Sequence, residues 1–220
     1  MKNYIFGYGS LIEKNSRLRT VPSALNAFPV KIRGYARGWW SRTGNVGLST
    51  TFLGCIKTGE IENFDVVNYV TGVLFEVTDN DLTVLDEREQ GYKRINVNVD
   101  KIDDYANLIH ENSKIWIYVN EFKDRIDIEE DIPSKQFPIV QSYVDICMNG
   151  CIEIEDLFPV AKRNKFATEF IKSTCYWSSY WVNDRIYPRR PFIAVPNASK
   201  IDFLLKENLP DSIFDNIYFE

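Results

Sequence analysis

A single histidine, His110, occurs among 220 residues, and this scarcity removes most chemistry that depends on imidazole. It lies in the polar stretch His110-Glu111-Asn112-Ser113, which reads as a loop rather than as part of a Ser-His-Asp or Cys-His nucleophilic centre. Cysteine is also sparse: Cys55, Cys147, Cys151 and Cys175 are scattered over a chain long enough to fold without disulfides, a pattern unlike a secreted disulfide framework. Cys147 and Cys151 stand one helical turn apart, but no second pair at metal-ligand spacing accompanies them, which favours small core residues over a metal site. No Walker loop or dinucleotide fingerprint is present. No segment approaches the roughly 18 consecutive apolar residues of a membrane-spanning helix. A basic excess is missing too, with 26 Lys and Arg against 31 Asp and Glu and a net charge of −5, which argues against a general nucleic-acid surface.

What remains is the composition of a packed globular protein, 45% apolar and 26% charged. A soluble, cytoplasmic protein acting on a small molecule is expected. Tyr4 to Ile12 is apolar, but Glu13 and Lys14 follow at once, so the N-terminus reads as a strand and not as a signal peptide. Tyr4 to Tyr8 is a short strand ended by the turn Gly7-Tyr8-Gly9-Ser10. Val30 to Trp40, Leu48 to Ile56 and Tyr69 to Val77 predict three more strands, and Arg94 to Val99 and Lys114 to Val119 two others. Thr78, with Asp81 three residues on, approximates a capping box for a helix over about Asp79 to Gln90, and Gly91 suits the left-handed position after it. The acidic run Asp127 to Asp131 reads as a solvated loop. From Phe137 the pattern turns helical, with Ile139, Tyr143, Ile146, Cys147 and Cys151 on one face. A second amphipathic helix runs through Phe166 and Phe170, and a short one lies near Ile201 to Leu205. The chain thus divides near residue 130 into a strand-rich part (1–130) and a helix-rich part (131–220).

On a helical wheel Glu89 falls between Leu82 and Leu85, on the apolar face, whereas Glu87 projects away from it. A carboxylate on a buried face must be paired or carry a raised pKa. The plain alternative is a structural Glu89 bonded to Arg94 or Tyr92. Glu87 and Glu89 do not form a glycosidase pair, because positions i and i+2 do not face each other on a helix.

A second signal stands at the N-terminus. Phe6-Gly7-Tyr8-Gly9-Ser10-Leu11 resembles the Tyr-Gly-Ser loop of the γ-glutamylcyclotransferase superfamily, which includes the ChaC-like and AIG2-like enzymes. The later LDEREQGYKR, residues 85 to 94, resembles the segment carrying that superfamily's catalytic glutamate. The resemblance spans roughly residues 3 to 125. It implies an α+β fold, a mixed β-barrel or strongly curved sheet with flanking helices, to which a helical C-terminal extension is added. It also implies Glu89 as general acid/base and Tyr8, Gly9, Ser10 and Leu11 as the substrate-holding loop. Leu11 matches the ChaC-like members, where mammalian-type enzymes have Asn. The implied reaction releases 5-oxoproline from a γ-glutamyl peptide, glutathione or a γ-glutamylamine by intramolecular aminolysis, without cofactor or metal. A ligand-binding or regulatory domain that keeps the fold without the catalysis is the alternative.

Arg185, Arg189 and Arg190 form a basic cluster in NDRIYPRRP. They fit either pairing with acidic side chains or a clamp on a substrate carboxylate. Trp177, Tyr180 and Trp181 read as core.

Overall fold

The computed structural model describes residues 2–42, 49–59, 66–109, 112–190 and 196–220. His110 and Glu111 lie outside the described residues. In chain order the elements are β1 (Asn3–Gly7), α1 (Lys14–Thr20), β2 (Ala27–Arg33), β3 (Tyr35–Ser41), β4 (Phe52–Lys57), β5 (Tyr69–Val77), α2 (Asp79–Arg88), β6 (Lys93–Val97), β7 (Ile102–Asp104) and β8 (Lys114–Val119). The chain continues with α3 (Arg125–Asp131), β9 (Ile139–Val140), α4 (Gln141–Leu157), α5 (Pro159–Arg163), α6 (Phe166–Lys172), β10 (Thr174–Cys175), β11 (Trp181–Asn183), α7 (Ala198–Asn208), α8 (Asp211–Phe214) and β12 (Tyr218–Phe219).

The main sheet has the order β6-β8-β1-β5-β2-β7. Its one parallel pair is β1 with β8. The class is α+β, and this mixed sheet is open rather than closed into a barrel. β1 and β5 occupy its middle because both of their faces are apolar. Side chains alternate across a strand, so Ile5, Val73 and Phe75 enter one apolar cluster while Tyr4, Phe6 and Leu74 enter another. The first cluster also takes in Val144, Phe166, Phe170 and Leu205 from the helices.

The apolar run Val30 to Trp40 is two strands and not one. Gly34 has φ of 84°, a left-handed conformation that costs glycine nothing, and there the chain leaves the main sheet. β3 pairs with β4 in a second sheet, to which β10 adds in parallel with Thr174 opposite Arg37. The corner thereby brings Arg37 behind the first turn of the chain.

The acidic run is likewise not a loop but part of α3. Asp124 caps it by accepting from the backbone N–H groups of Ile126 and Asp127, and Arg125 pairs with Glu129 one turn on. Ile128 is fully buried, a contribution on the order of 1.5–3 kcal/mol that charge counting overlooks. β7 and α1 were not anticipated; each is short and weakly patterned. The helical pattern from Phe137 includes a short strand, β9, before α4 begins.

Trp181 is buried and stacks on Trp177 at 5.2 Å, while Tyr180 is exposed. Cys147 and Cys151 are buried free thiols, and burial pushes the Cys147 thiol up to about 12. No helix among the described residues is long and apolar enough to cross a membrane.

Candidate active site

The turn after β1 begins where Gly7 ends the strand. Gly9 opens a short 3-10 turn, Ser10–Ile12, whose Ile12 N–H donates to the Gly9 carbonyl at 3.0 Å. No side chain caps this turn at Gly9, so the N–H groups of Ser10 and Leu11 stand at its start without an acceptor inside it. Glycine at position 9 is required by a close approach. A Cβ there would sit 2.9 Å from the hydroxyl oxygen of Tyr143, which α4 lays across the turn.

Two arginines that the sequence did not single out hold this turn in place. Arg37 is fully buried, and among the described residues no carboxylate pairs with it. Its guanidinium donates to the carbonyls of Tyr8 (3.1 Å), Thr71 (2.7 Å) and Phe170 (2.7 Å) and to the hydroxyls of Thr174 (2.8 Å) and Ser173 (2.9 Å). It also lies 3.8 Å from the centre of the Phe170 ring. Burial lowers its pKa to about 10, which still leaves it charged at neutral pH. Arg17 plays a similar part further on, donating to the carbonyls of Leu11, Ile12 and Ala24. A signal for Arg37 was present in the sequence: it falls between Tyr35 and Trp39 on one face of a buried strand, a position where an arginine must be saturated by acceptors.

α2 delivers the carboxylate. Thr78 and Asp81 form the capping box, with the Asp81 N–H donating to the Thr78 hydroxyl and the Asp81 carboxylate accepting from the Thr78 N–H. Leu82 and Leu85 are buried. The helix ends at Arg88, so Glu89 is the residue that caps its C-terminus, and Gly91 follows with φ of 93°. The Glu89 N–H still donates to the Leu85 carbonyl at 2.8 Å, which keeps the side chain on the apolar face as the wheel places it. The side chain is 19% exposed.

Of the partners proposed for a purely structural Glu89, Arg94 pairs with Asp86 at 3.0 Å, while Tyr92 donates its N–H to the Glu89 carbonyl at 3.1 Å and its hydroxyl to the Leu53 carbonyl at 3.1 Å. The Glu89 carboxylate meets its neighbour Arg88 at 3.1 Å. The same guanidinium donates to the Ser10 hydroxyl at 3.2 Å and to the Thr20 hydroxyl, so Arg88 ties the carboxylate to the glycine turn. Burial pushes the Glu89 carboxyl above the usual carboxylate range, and the positive charges of Arg88 and Arg190 only partly oppose this. Burial holds the phenols of Tyr8 and Tyr143 well above their ordinary range, so both are neutral hydroxyls.

Tyr8, Gly9, Ser10, Leu11 and Glu89 all line one cavity of about 50 Å³, together with aromatic side chains that include Tyr143. The cavity is not the largest: a groove of about 660 Å³ runs past Leu25, Leu108 and Leu157. That groove also holds a carboxyl raised by burial, Glu153, but it accepts from the Lys14 N–H and the Asn149 amide, and the Arg17 of the groove is committed to carbonyls. The three arginines of the basic cluster separate. Arg185 pairs with Asp145 (2.8 Å) and Asp202 (2.7 Å), and Arg189 with Glu220 (2.8 Å). Arg190 lies against the rings of Phe52 and Tyr143.

An open mixed sheet, helices on its flanks and a glycine turn after the first strand define a fold class already represented among solved proteins. A structure described as a gamma-glutamyl cyclotransferase superposes on the chain with a TM-score of 0.50 at 15% identity, covering 94% of this chain and 99% of that one. The model of the gamma-glutamyl cyclotransferase, AIG2-like family matches residues 5–137, and the chain belongs to that family. An uncharacterized human protein is similar at a TM-score of 0.48 and 16% identity, over 74% of this chain and 86% of its own. The YkqA protein of Bacillus subtilis is similar at 0.46 and 15%, over 75% and 53%. No curated protein sequence matches.

Proposed function

We propose that the protein is a γ-glutamyl cyclotransferase that releases 5-oxoproline from a γ-glutamyl compound, with Glu89 as the proton-transfer residue. The observation that carries this reading is the convergence of Glu89 and the Tyr8 to Leu11 turn on one cavity. The α-amine of the γ-glutamyl group attacks its own γ-carbonyl carbon, forming the lactam C–N bond as the bond to the attached amine breaks. The α-ammonium gives up two protons on its way to the lactam N–H: Glu89 takes one as base and hands it as acid to the departing nitrogen, and the other goes to solvent, from which the released amine is protonated. Because nucleophile and electrophile share a molecule, holding the bent conformer is itself a large part of the acceleration, up to about 7–11 kcal/mol in favourable cases.

A raised carboxyl pKa suits such a shuttle, since a proton-transfer group works best with its pKa near the working pH. Negative charge that builds on the γ-oxygen has donors at hand in the uncapped N–H groups of Ser10 and Leu11. Residues 1–130 act in this reading as the catalytic core and residues 131–220 as an extension packed upon it. The position of Tyr143 over the turn supports that division of labour.

One observation favours a second reading. A cavity of about 50 Å³ has room for little more than one or two waters, at roughly 30 Å³ each in the liquid. A non-catalytic domain whose pocket the extension has narrowed would have this form. Incubating the purified protein with glutathione, γ-glutamyl-alanine and γ-glutamyl-lysine and measuring 5-oxoproline separates the two. Release from at least one is expected, and binding without release from any would establish the second reading.

A further inference from the structure

Arg190 is the member of the basic cluster that is left uncommitted. Among the described residues its guanidinium makes no ion pair and no hydrogen bond. It stands 5.5 Å from the centre of the Phe52 ring and 6.0 Å from that of Tyr143. Those two rings meet edge to face at 5.0 Å, and Tyr143 is the ring whose hydroxyl touches Gly9 and whose side chain walls the Glu89 cavity. The charge therefore rests on an aromatic shelf, one ring of which walls the site, and it is half-buried. Its charge is felt by the Glu89 carboxyl, yet among the described residues no carboxylate bonds to it, an unusual placement for a half-buried guanidinium in a chain with more acids than bases.

Its position is built rather than incidental. Asp184, fully buried, accepts from the Ser142 N–H (2.7 Å), the Ser142 hydroxyl (2.7 Å) and the Arg189 N–H (2.7 Å). The Ser142 oxygen in turn accepts from the Arg190 N–H at 3.2 Å. Ser142 directly precedes Tyr143, so one network fixes the backbone of Arg190 and the start of the helix that walls the cavity. The bidentate bonds of Arg185 to Asp145 and Asp202 pin the same segment from its other end.

Resting on the cyclotransferase reading above, we propose that Arg190 is a specificity residue that receives the carboxylate of the leaving amine. The substrates are then γ-glutamyl amino acids in preference to γ-glutamylamines. The cavity is far too small for a whole γ-glutamyl compound, so part of the substrate must lie outside it, and Arg190 stands against Tyr143, one of its walls. A guanidinium fork matches a carboxylate in both charge and shape.

The test compares γ-glutamyl-alanine with γ-glutamyl-alaninamide, which differ only in that carboxylate, on wild-type protein, Arg190→Gln and Arg189→Gln. Wild type is expected to favour the acid by roughly 10- to 100-fold in kcat/KM, chiefly through KM, as a charged hydrogen-bonded contact would. Arg190→Gln should collapse that preference to within about threefold, over and above any change common to both compounds from removing its charge near Glu89, and Arg189→Gln should leave it intact. Equal wild-type rates on the two compounds would overturn the proposal without recourse to any variant. Equal losses on both in Arg190→Gln would also overturn it, placing the guanidinium on the glutamyl part. In either case 5-oxoproline release would still stand. Wild-type protein that cyclises neither compound removes the underlying activity, a failure plainly distinct from a lost preference.

Discussion

Two charged centres flank the glycine turn, and they differ in how completely they are satisfied. Behind it, Arg37 spends its donors on five neutral oxygens and has no water to meet. In front of it, Glu89 has one ionic partner, a carboxyl raised by burial and a cavity beside it. A saturated buried charge fixes geometry, because moving it would orphan several groups at once. An under-satisfied one is held in a state that a proton or a substrate can change. The contrast gives Arg37 a structural part and supports the proposal that Glu89 carries the chemistry.

The contrast breaks most visibly at Arg37. Replacing it with Met takes the guanidinium donor from the carbonyls of Tyr8 and Thr71, each worth about 1–3 kcal/mol if left unpaired, while the Phe170 carbonyl keeps the Thr174 hydroxyl. Denaturant unfolding should therefore show a loss of at least about 2 kcal/mol. A loss within about 0.5 kcal/mol, typical of surface sites, would mean that Arg37 is no anchor.

Gly9→Ala should cost roughly tenfold or more in kcat/KM, because its methyl meets the Tyr143 hydroxyl within 3 Å and displaces the turn. Tyr143→Phe removes that oxygen, so the double variant should recover part of the rate. Additive losses in the double variant would show that the clash is not the cause.

The smallest effect sharpens the electrostatics. Arg88 lowers the Glu89 pKa against the upward push of burial, so Arg88→Gln should move the acid limb of the kcat/KM profile to higher pH. A shift to lower pH would contradict the assigned sign. Stability gives a companion reading. A carboxyl whose folded pKa lies above its unfolded one stabilises the fold while protonated and loses that contribution as pH rises through the folded pKa. Glu89→Gln, permanently neutral, should therefore unfold at pH 7 no more readily than wild type.

Much of this was legible in the sequence, and the gaps have physical causes. The strand at Tyr69–Val77 and the capping box at Thr78 and Asp81 are local patterns, set by side-chain alternation and by a hydrogen bond three residues long. The inward face of Glu89 follows from helical geometry that persists through its bond to Leu85. The strand pattern could have flagged Arg37 as buried, but its role could not be read, because its acceptors come from residues 8, 71, 170, 173 and 174, which only the folded chain assembles. For the same reason the three clustered arginines looked equivalent, although Asp202 and Glu220 claim two of them from far along the chain. The corner at Gly34 was masked because β-branched and aromatic residues recur on both sides of it, a pattern that one long strand and two strands meeting at a glycine share.

The central claim is that the Glu89 carboxylate moves the proton in lactam formation. Its most direct test is single-turnover 5-oxoproline release from γ-glutamyl-alanine by wild-type protein and by Glu89→Gln, with matched folding confirmed by circular dichroism. A fall of about 10²- to 10⁴-fold in the variant is predicted, the usual worth of a positioned proton-transfer group. Equal rates from the two proteins would contradict it.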